Sequence, residues 1–157
     1  MSDKIVFTLD GKSVEAEAGM TIWEVANGRG LTIPHLCHKP ATGYRPDGNC
    51  RACMVEVDGE RTLVASCIRE PSEGMVVTTN SERAETARKM IVEMLLADQP
   101  EKDVSHDKSS HLWEMADLNG VCQSRLPKLE KERIPLLDDS HVAMRVNLDA
   151  CIQCGLC

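Results

Sequence analysis

The chain has 157 residues and a net charge of −7, enough for one compact domain with appendages. Its 18 Lys and Arg against 25 Asp and Glu leave no basic face for a phosphate backbone, so nucleic acid is not the expected partner. No run of apolar residues is long enough for a transmembrane helix, and Met1-Ser2-Asp3-Lys4 is no apolar export segment. A reducing, cytoplasmic setting is therefore expected for the eight cysteines, rather than a secreted disulfide framework.

Residues 4–18 predict a β-hairpin. Ile5, Phe7 and Leu9 alternate with Val6 and Thr8, Asp10-Gly11 is a two-residue turn signal, and Val14, Ala16 and Ala18 continue one face. Thr21 is placed to cap a short helix through Asn27, with Ile22, Val25 and Ala26 at helical spacing, and the glycines at 28 and 30 stop it. Residues 31–52 predict a loop, punctuated by Pro34, Pro40, Gly43, Pro46, Asp47 and Gly48.

A second hairpin is expected over 53–66, turning at Asp58-Gly59, with Val55 and Val57 matched by Leu63 and Ala65. Met75 to Thr79 reads as one more strand. Residues 81–97 carry the strongest helical pattern. Ser81 is the expected N-cap, and Ala84, Ala87, Met90, Ile91, Met94 and Leu95 form the expected packing stripe. Residues 98–140 are polar and irregular and predict a linker with little core of its own. One short helix there would carry Leu112, Trp113, Met115 and Leu118, and Pro127 and Pro135 interrupt the remainder of the segment.

The chemistry lies in the cysteines. Cys37, Cys50, Cys53 and Cys67 are spaced C-x12-C-x2-C-x13-C. A binuclear iron–sulfur cluster needs two thiolates on each iron, and a close pair flanked by two single cysteines supplies them from one loop and one strand end. The alternatives are a zinc site and buried structural cysteines, but zinc ribbons use two close pairs and only one occurs here. The loop's small residues suit close approach of backbone N–H groups to sulfide, with the amides of Arg51 and Ala52 as candidates. Four thiolates around an oxidised [2Fe–2S] core would leave the chain near a charge of about −9.

The last seven residues, Cys-Ile-Gln-Cys-Gly-Leu-Cys, place Cys151, Cys154 and Cys157 as C-x2-C-x2-C. That is the opening of a ferredoxin-type [4Fe–4S] signature lacking its fourth ligand, so the chain is expected to be a piece of a longer protein. The expected organisation is α+β: a β-grasp [2Fe–2S] ferredoxin-like domain over 1–80, a helix packing on it over 81–97, a linker over 98–145 and a truncated [4Fe–4S] motif over 146–157.

The segments Thr32-Ile33-Pro34-His35-Leu36-Cys37 and Gly43-Tyr44-Arg45-Pro46-Asp47-Gly48-Asn49-Cys50-Arg51-Ala52-Cys53, with Asn147-Leu148-Asp149-Ala150 near the end, carry a family resemblance. They resemble the N-terminal [2Fe–2S] domain of cytosolic NAD-dependent formate dehydrogenase alpha subunits. The same domain type begins the large iron–sulfur subunit of respiratory NADH dehydrogenase and the diaphorase subunit of NAD-reducing hydrogenases. Those two relatives carry a [4Fe–4S] site after the long helix, bound by one histidine and three cysteines. Here Gln99 stands at the place of the histidine, and His106, His111 and the single Cys122 cannot hold a cubane. That departure favours formate dehydrogenase.

The resemblance implies an electron relay belonging to a molybdenum- or tungsten-dependent enzyme. Its partners would be a downstream catalytic domain and flavin- and NAD-binding iron–sulfur subunits. It implies a [2Fe–2S] cluster here and a [4Fe–4S] cluster in the full-length protein. No catalytic residue is assigned, because nothing in the chain forms a substrate pocket or a dinucleotide-type glycine motif. The rival readings are a stand-alone ferredoxin, the matching region of an NADH dehydrogenase or hydrogenase, and a zinc-binding adaptor.

Overall fold

The fold begins with two strands, β1 (Lys4–Leu9) and β2 (Lys12–Glu17), paired antiparallel with Phe7 opposite Val14 and Ile5 opposite Ala16. Asp10 and Gly11 both have positive φ, the requirement of the tight turn that matches strand twist. Phe7, Leu9, Val14 and Ala16 are buried, while Ala18 lies exposed beyond the strand. The computed structural model of the chain describes residues 4–128, 137–147 and 151–156. Three sequence features, Pro135, the predicted ligand Cys157 and the segment Leu148-Asp149-Ala150, lie outside the described residues.

Helix α1 (Ile22–Gly28) comes next. Thr21 accepts from the Glu24 N–H, and the Glu24 carboxylate returns to the Thr21 N–H, a reciprocal cap that satisfies donors at the helix start. Two further N–H groups at this end, those of Ile22 and Trp23, donate to the carbonyls of Arg69 and Ser66 at 2.8 and 3.0 Å. The helix start is thereby fastened to the loop that carries Cys67.

Strands β3 (Met54–Val57), β4 (Val64–Ala65) and β5 (Val76–Thr78) complete a five-stranded mixed sheet in the order β2-β1-β5-β3-β4, with β1 and β5 parallel. This is a small α+β fold, as expected for a β-grasp ferredoxin-like domain. The second hairpin pairs differently from the expectation. Val55 faces Val64 and Met54 faces Ala65, and Leu63 falls in the connection, because the turn after Val57 is longer than Asp58-Gly59 alone. The first core joins Phe7, Leu9, Trp23, Val25, Val55, Val57 and Val77, with Cys53 and Cys67 among them.

Helix α2 (Glu82–Ala97) starts at Ser81, whose hydroxyl accepts from the Ala84 N–H. Its buried face is rotated from the expected stripe. Ala84, Arg88, Val92 and Leu96, at four-residue steps, point inward, whereas Met90 and Met94 are 55% and 58% exposed. Reading apolarity alone excluded Arg88, although its long stem and its hydrogen bonds let it lie inside.

The segment after α2 holds the expected short helix, but it has more core than expected. A 3-10 turn (Lys102–Val104) leads to α3 (His111–Leu118), and Leu112, Trp113, Met115, Ala116 and Val121 form a second core with Val92, Leu96, Leu36 and Ala52. Leu118 turns outward. Strands β6 (Leu137–His141) and β7 (Met144–Asn147) make a separate exposed hairpin that starts within the stretch 98–140 left irregular by the sequence pattern.

Candidate metal centre

The four spaced cysteines meet where the two cores adjoin. Cys53 and Cys67 belong to the first, and Cys50 packs on the second beside Ala52 and Leu36. Cys37, Cys53 and Cys67 are buried and Cys50 is partly so.

They lie as two pairs. The Cys37 N–H donates to Cys50 Sγ and the Cys50 N–H donates to Cys37 Sγ, both at 3.4 Å, which locks the two ends of the long loop together. The Ala52 N–H also points at Cys50 Sγ, at 3.5 Å. Arg51 makes that geometry possible by adopting φ of +59°, a left-handed conformation unusual for a residue with a side chain. In the second pair the side chains of Cys53 and Cys67 lie against each other and perturb each other's ionisation in opposite directions.

Ser66, fully buried, fixes this second pair. Both its N–H and its hydroxyl donate to the Cys53 carbonyl, at 3.2 and 2.8 Å. Cys67, the next residue, is held against the start of α1 by the bonds from Ile22 and Trp23 to its neighbours.

The electrostatics show what the pocket requires. The Cys67 contact holds the Cys53 thiol well below its ordinary range. That same contact, reinforced by burial, pushes Cys67 far above it, and burial pushes Cys50 up to about 11. Crowded, desolvated thiols cannot all ionise without a cation among them. A donor set of two thiol pairs, ringed by backbone N–H groups directed at sulfur, fits a binuclear iron–sulfur core.

Sequence reasoning missed the aromatic wall beside Cys37. Trp23 lies edge-on to both His35 and His38, with ring centroids 4.6 Å apart in each case, and its indole N–H donates to the Ile33 carbonyl at 3.1 Å. His38 is buried, and burial lowers its pKa as it does that of His35. The pattern His35-Leu36-Cys37-His38 was the available signal, since it sets two histidines beside a predicted ligand.

The C-terminal motif is a separate group. Cys151 is exposed and Cys154 half-buried. Ile152 packs on the second core, and Ile152 and Gln153 line a cleft with Cys50 and Arg51. In the middle segment His106, His111 and Cys122 are all exposed, and Gln99 is buried. No helix among the described residues is long and apolar enough to cross a membrane.

The fold and the paired cysteines define an iron–sulfur domain, and the comparisons agree. Residues 2–82, more than half of the chain, match the family described as the 2Fe-2S iron-sulfur cluster binding domain, and the chain belongs to that family. Over 98% of its length it is 32% identical to the mitochondrial NADH-ubiquinone oxidoreductase 78 kDa subunit of Candida albicans. It is also 32% identical, over the same share, to the NADP-reducing hydrogenase subunit HndD of Solidesulfovibrio fructosivorans. The chain spans 21% and 27% of those two proteins. A crystal structure of an NAD+-reducing [NiFe]-hydrogenase in the H2-reduced state superposes with a TM-score of 0.82 at 32% identity, covering 98% of this chain and 64% of that one.

Proposed function

We propose that this chain is the iron–sulfur relay region of an oxidoreductase. The two cysteine pairs carry the reading: Cys37 with Cys50 would hold one iron and Cys53 with Cys67 the other. When bound, a [2Fe–2S] cluster supplies one-electron transfer, and the protein fixes its position and potential. Backbone N–H groups at Cys37, Cys50 and Ala52 already face sulfur and would stabilise the extra negative charge of the reduced state. Cys151, Cys154 and Cys157 would be ligands of a [4Fe–4S] cluster in a longer polypeptide, with downstream catalytic and flavin/NAD-binding partners.

The particular enzyme we favour is an NAD-dependent formate dehydrogenase, because Gln99 replaces a ligand histidine and only Cys122 follows it before the terminal motif. The relatives' names favour a second reading, the matching region of an NADH dehydrogenase or hydrogenase.

Anaerobically purified chain should hold about two irons and two sulfides, and Cys50→Ser should lose them, since a hydroxyl is a harder and poorer donor than thiolate. Stoichiometric zinc without sulfide would overturn the cluster reading. The enzyme choice is tested separately. The chain extended by its downstream coding sequence and loaded with metal cofactor should reduce viologen dyes with formate. An extended protein that oxidises only NADH or H2 overturns formate dehydrogenase and leaves the cluster reading standing.

A further inference from the structure

Arg88 is 7% exposed, and among the described residues it is the only buried Asp, Glu, Lys or Arg. It sits on the inward face of α2. Its Nη1 donates to two backbone carbonyls, Met54 at 3.0 Å and Thr79 at 2.7 Å, and its Nε is buried without a partner. Arginine keeps its proton inside proteins, so this is a fixed positive charge. A buried charge is costly unless it is paired.

The neighbouring negative groups are Glu85, Asp10 and Cys53. Glu85 is exposed to solvent. The Asp10 carboxylate is taken by Thr79, which donates to it from its N–H and its hydroxyl, each at 2.7 Å. Cys53 is the residue immediately before Met54, whose carbonyl Arg88 holds. The guanidinium is thus anchored on the residue that follows one cysteine of the second pair, close enough to feel the charge of Cys53.

We propose that Arg88 is the counter-charge of the iron–sulfur centre, a positioning residue that favours its more negative, one-electron-reduced state and so raises its reduction potential. This rests on the [2Fe–2S] reading. The electron comes from a neighbouring flavin or iron–sulfur group, no bond forms or breaks, and no proton moves, because Arg88 is charged in both states. A purely structural role, tying the start of β3 to the end of β5, makes a different forecast: the potential would not follow the charge at position 88.

The test is a redox titration of the anaerobically reconstituted full chain, followed by visible absorbance and electron paramagnetic resonance. Arg88→Gln should keep its iron and sulfide while its reduced-to-oxidised ratio at a fixed ambient potential falls roughly tenfold, a midpoint about 59 mV more negative. Arg88→Lys, which keeps the charge, should stay within a factor of about two of wild type. An intact Arg88→Gln cluster with the wild-type midpoint overturns the assignment, as does an equal fall in both variants. If Arg88→Gln assembles no cluster, a second uncharged variant that keeps a long stem, Arg88→Met, takes its place: a tenfold fall beside an unchanged Arg88→Lys supports the assignment, and the wild-type midpoint overturns it. Iron and sulfide content report separately on the cluster reading. A wild-type chain without a [2Fe–2S] spectrum removes that reading, and the role of Arg88 with it.

Discussion

Gln99 donates a hydrogen bond from Nε2 to the backbone carbonyl of Cys151 at 3.1 Å, joining residues 52 apart in sequence. Gln99 is a clip for the terminal cysteine motif. With Ile152 seated on the second core and Gln153 beside Arg51, the clip sets Cys151 next to the Cys50 loop. Two segments that would each serve a cluster are thereby adjacent.

Gln99→Ala should loosen that docking selectively. One hydrogen bond contributes about 1 kcal/mol net, so hydrogen exchange at residues 151–156 should quicken several-fold while the sheet's protection is unchanged. Unaltered exchange at the terminal segment would show that Ile152, not Gln99, holds it.

The segment between α2 and the terminal motif should be silent toward metal. His111 is exposed, contacts Glu114 at 3.2 Å and meets the His35 ring edge-on at 5.1 Å, while His106 and Cys122 face solvent. His106→Ala, His111→Ala and Cys122→Ser should leave iron content at the wild-type level. Loss of roughly four irons from any of them, the content of one cubane, would mean the segment holds a cluster after all.

The features legible in the sequence were local. The Asp10-Gly11 turn, the Thr21 cap and the alternation of Val55 with Val57 each arise from a few neighbouring residues, and all appear in the fold. The spacing marked the four cysteines as one group, but not their pairing: the close pair is split, Cys50 lying with Cys37 and Cys53 with Cys67. Three further things were not legible, each because it depends on distant partners. The rotation of α2 depends on carbonyls of Met54 and Thr79 that draw Arg88 inward. The burial of Trp113 and Leu112 depends on a surface supplied by α2 and Leu36. The β6–β7 hairpin is exposed on both faces, so its residues carry no alternation to read.

Gly48 is required by its backbone. It has φ of +67° in the loop between the first two cysteines, and an added Cβ would lie 2.7 Å from Ile68 Cδ1, beside Cys67. Ile68 is 45% exposed and its side chain can swing away, so conformation rather than contact sets the cost. Gly48→Ala should destabilise by about 1–2 kcal/mol and hasten cluster loss. The double variant with Ile68→Ala should recover little of that. Full recovery in denaturant titrations would assign the cost to the clash instead.

The orientation of α2 gives the sharpest stability test, because two nearby apolar residues should respond oppositely. Leu96 is 4% exposed and packs with Trp113, Val92 and Ala116 in the second core. Removing its side chain leaves a cavity among rigid neighbours, so Leu96→Ala should cost about 2–5 kcal/mol. Met94, two residues away, is 58% exposed on the opposite side. Met94→Ala removes little buried surface and slightly improves helix propensity, so its effect should lie within about 0.5 kcal/mol of zero. Urea midpoints of the two variants at constant slope would measure both. A Met94→Ala penalty as large as that of Leu96→Ala would mean that α2 presents the sequence-expected stripe to a partner surface in solution, and that the rotation seen here is not its packed state.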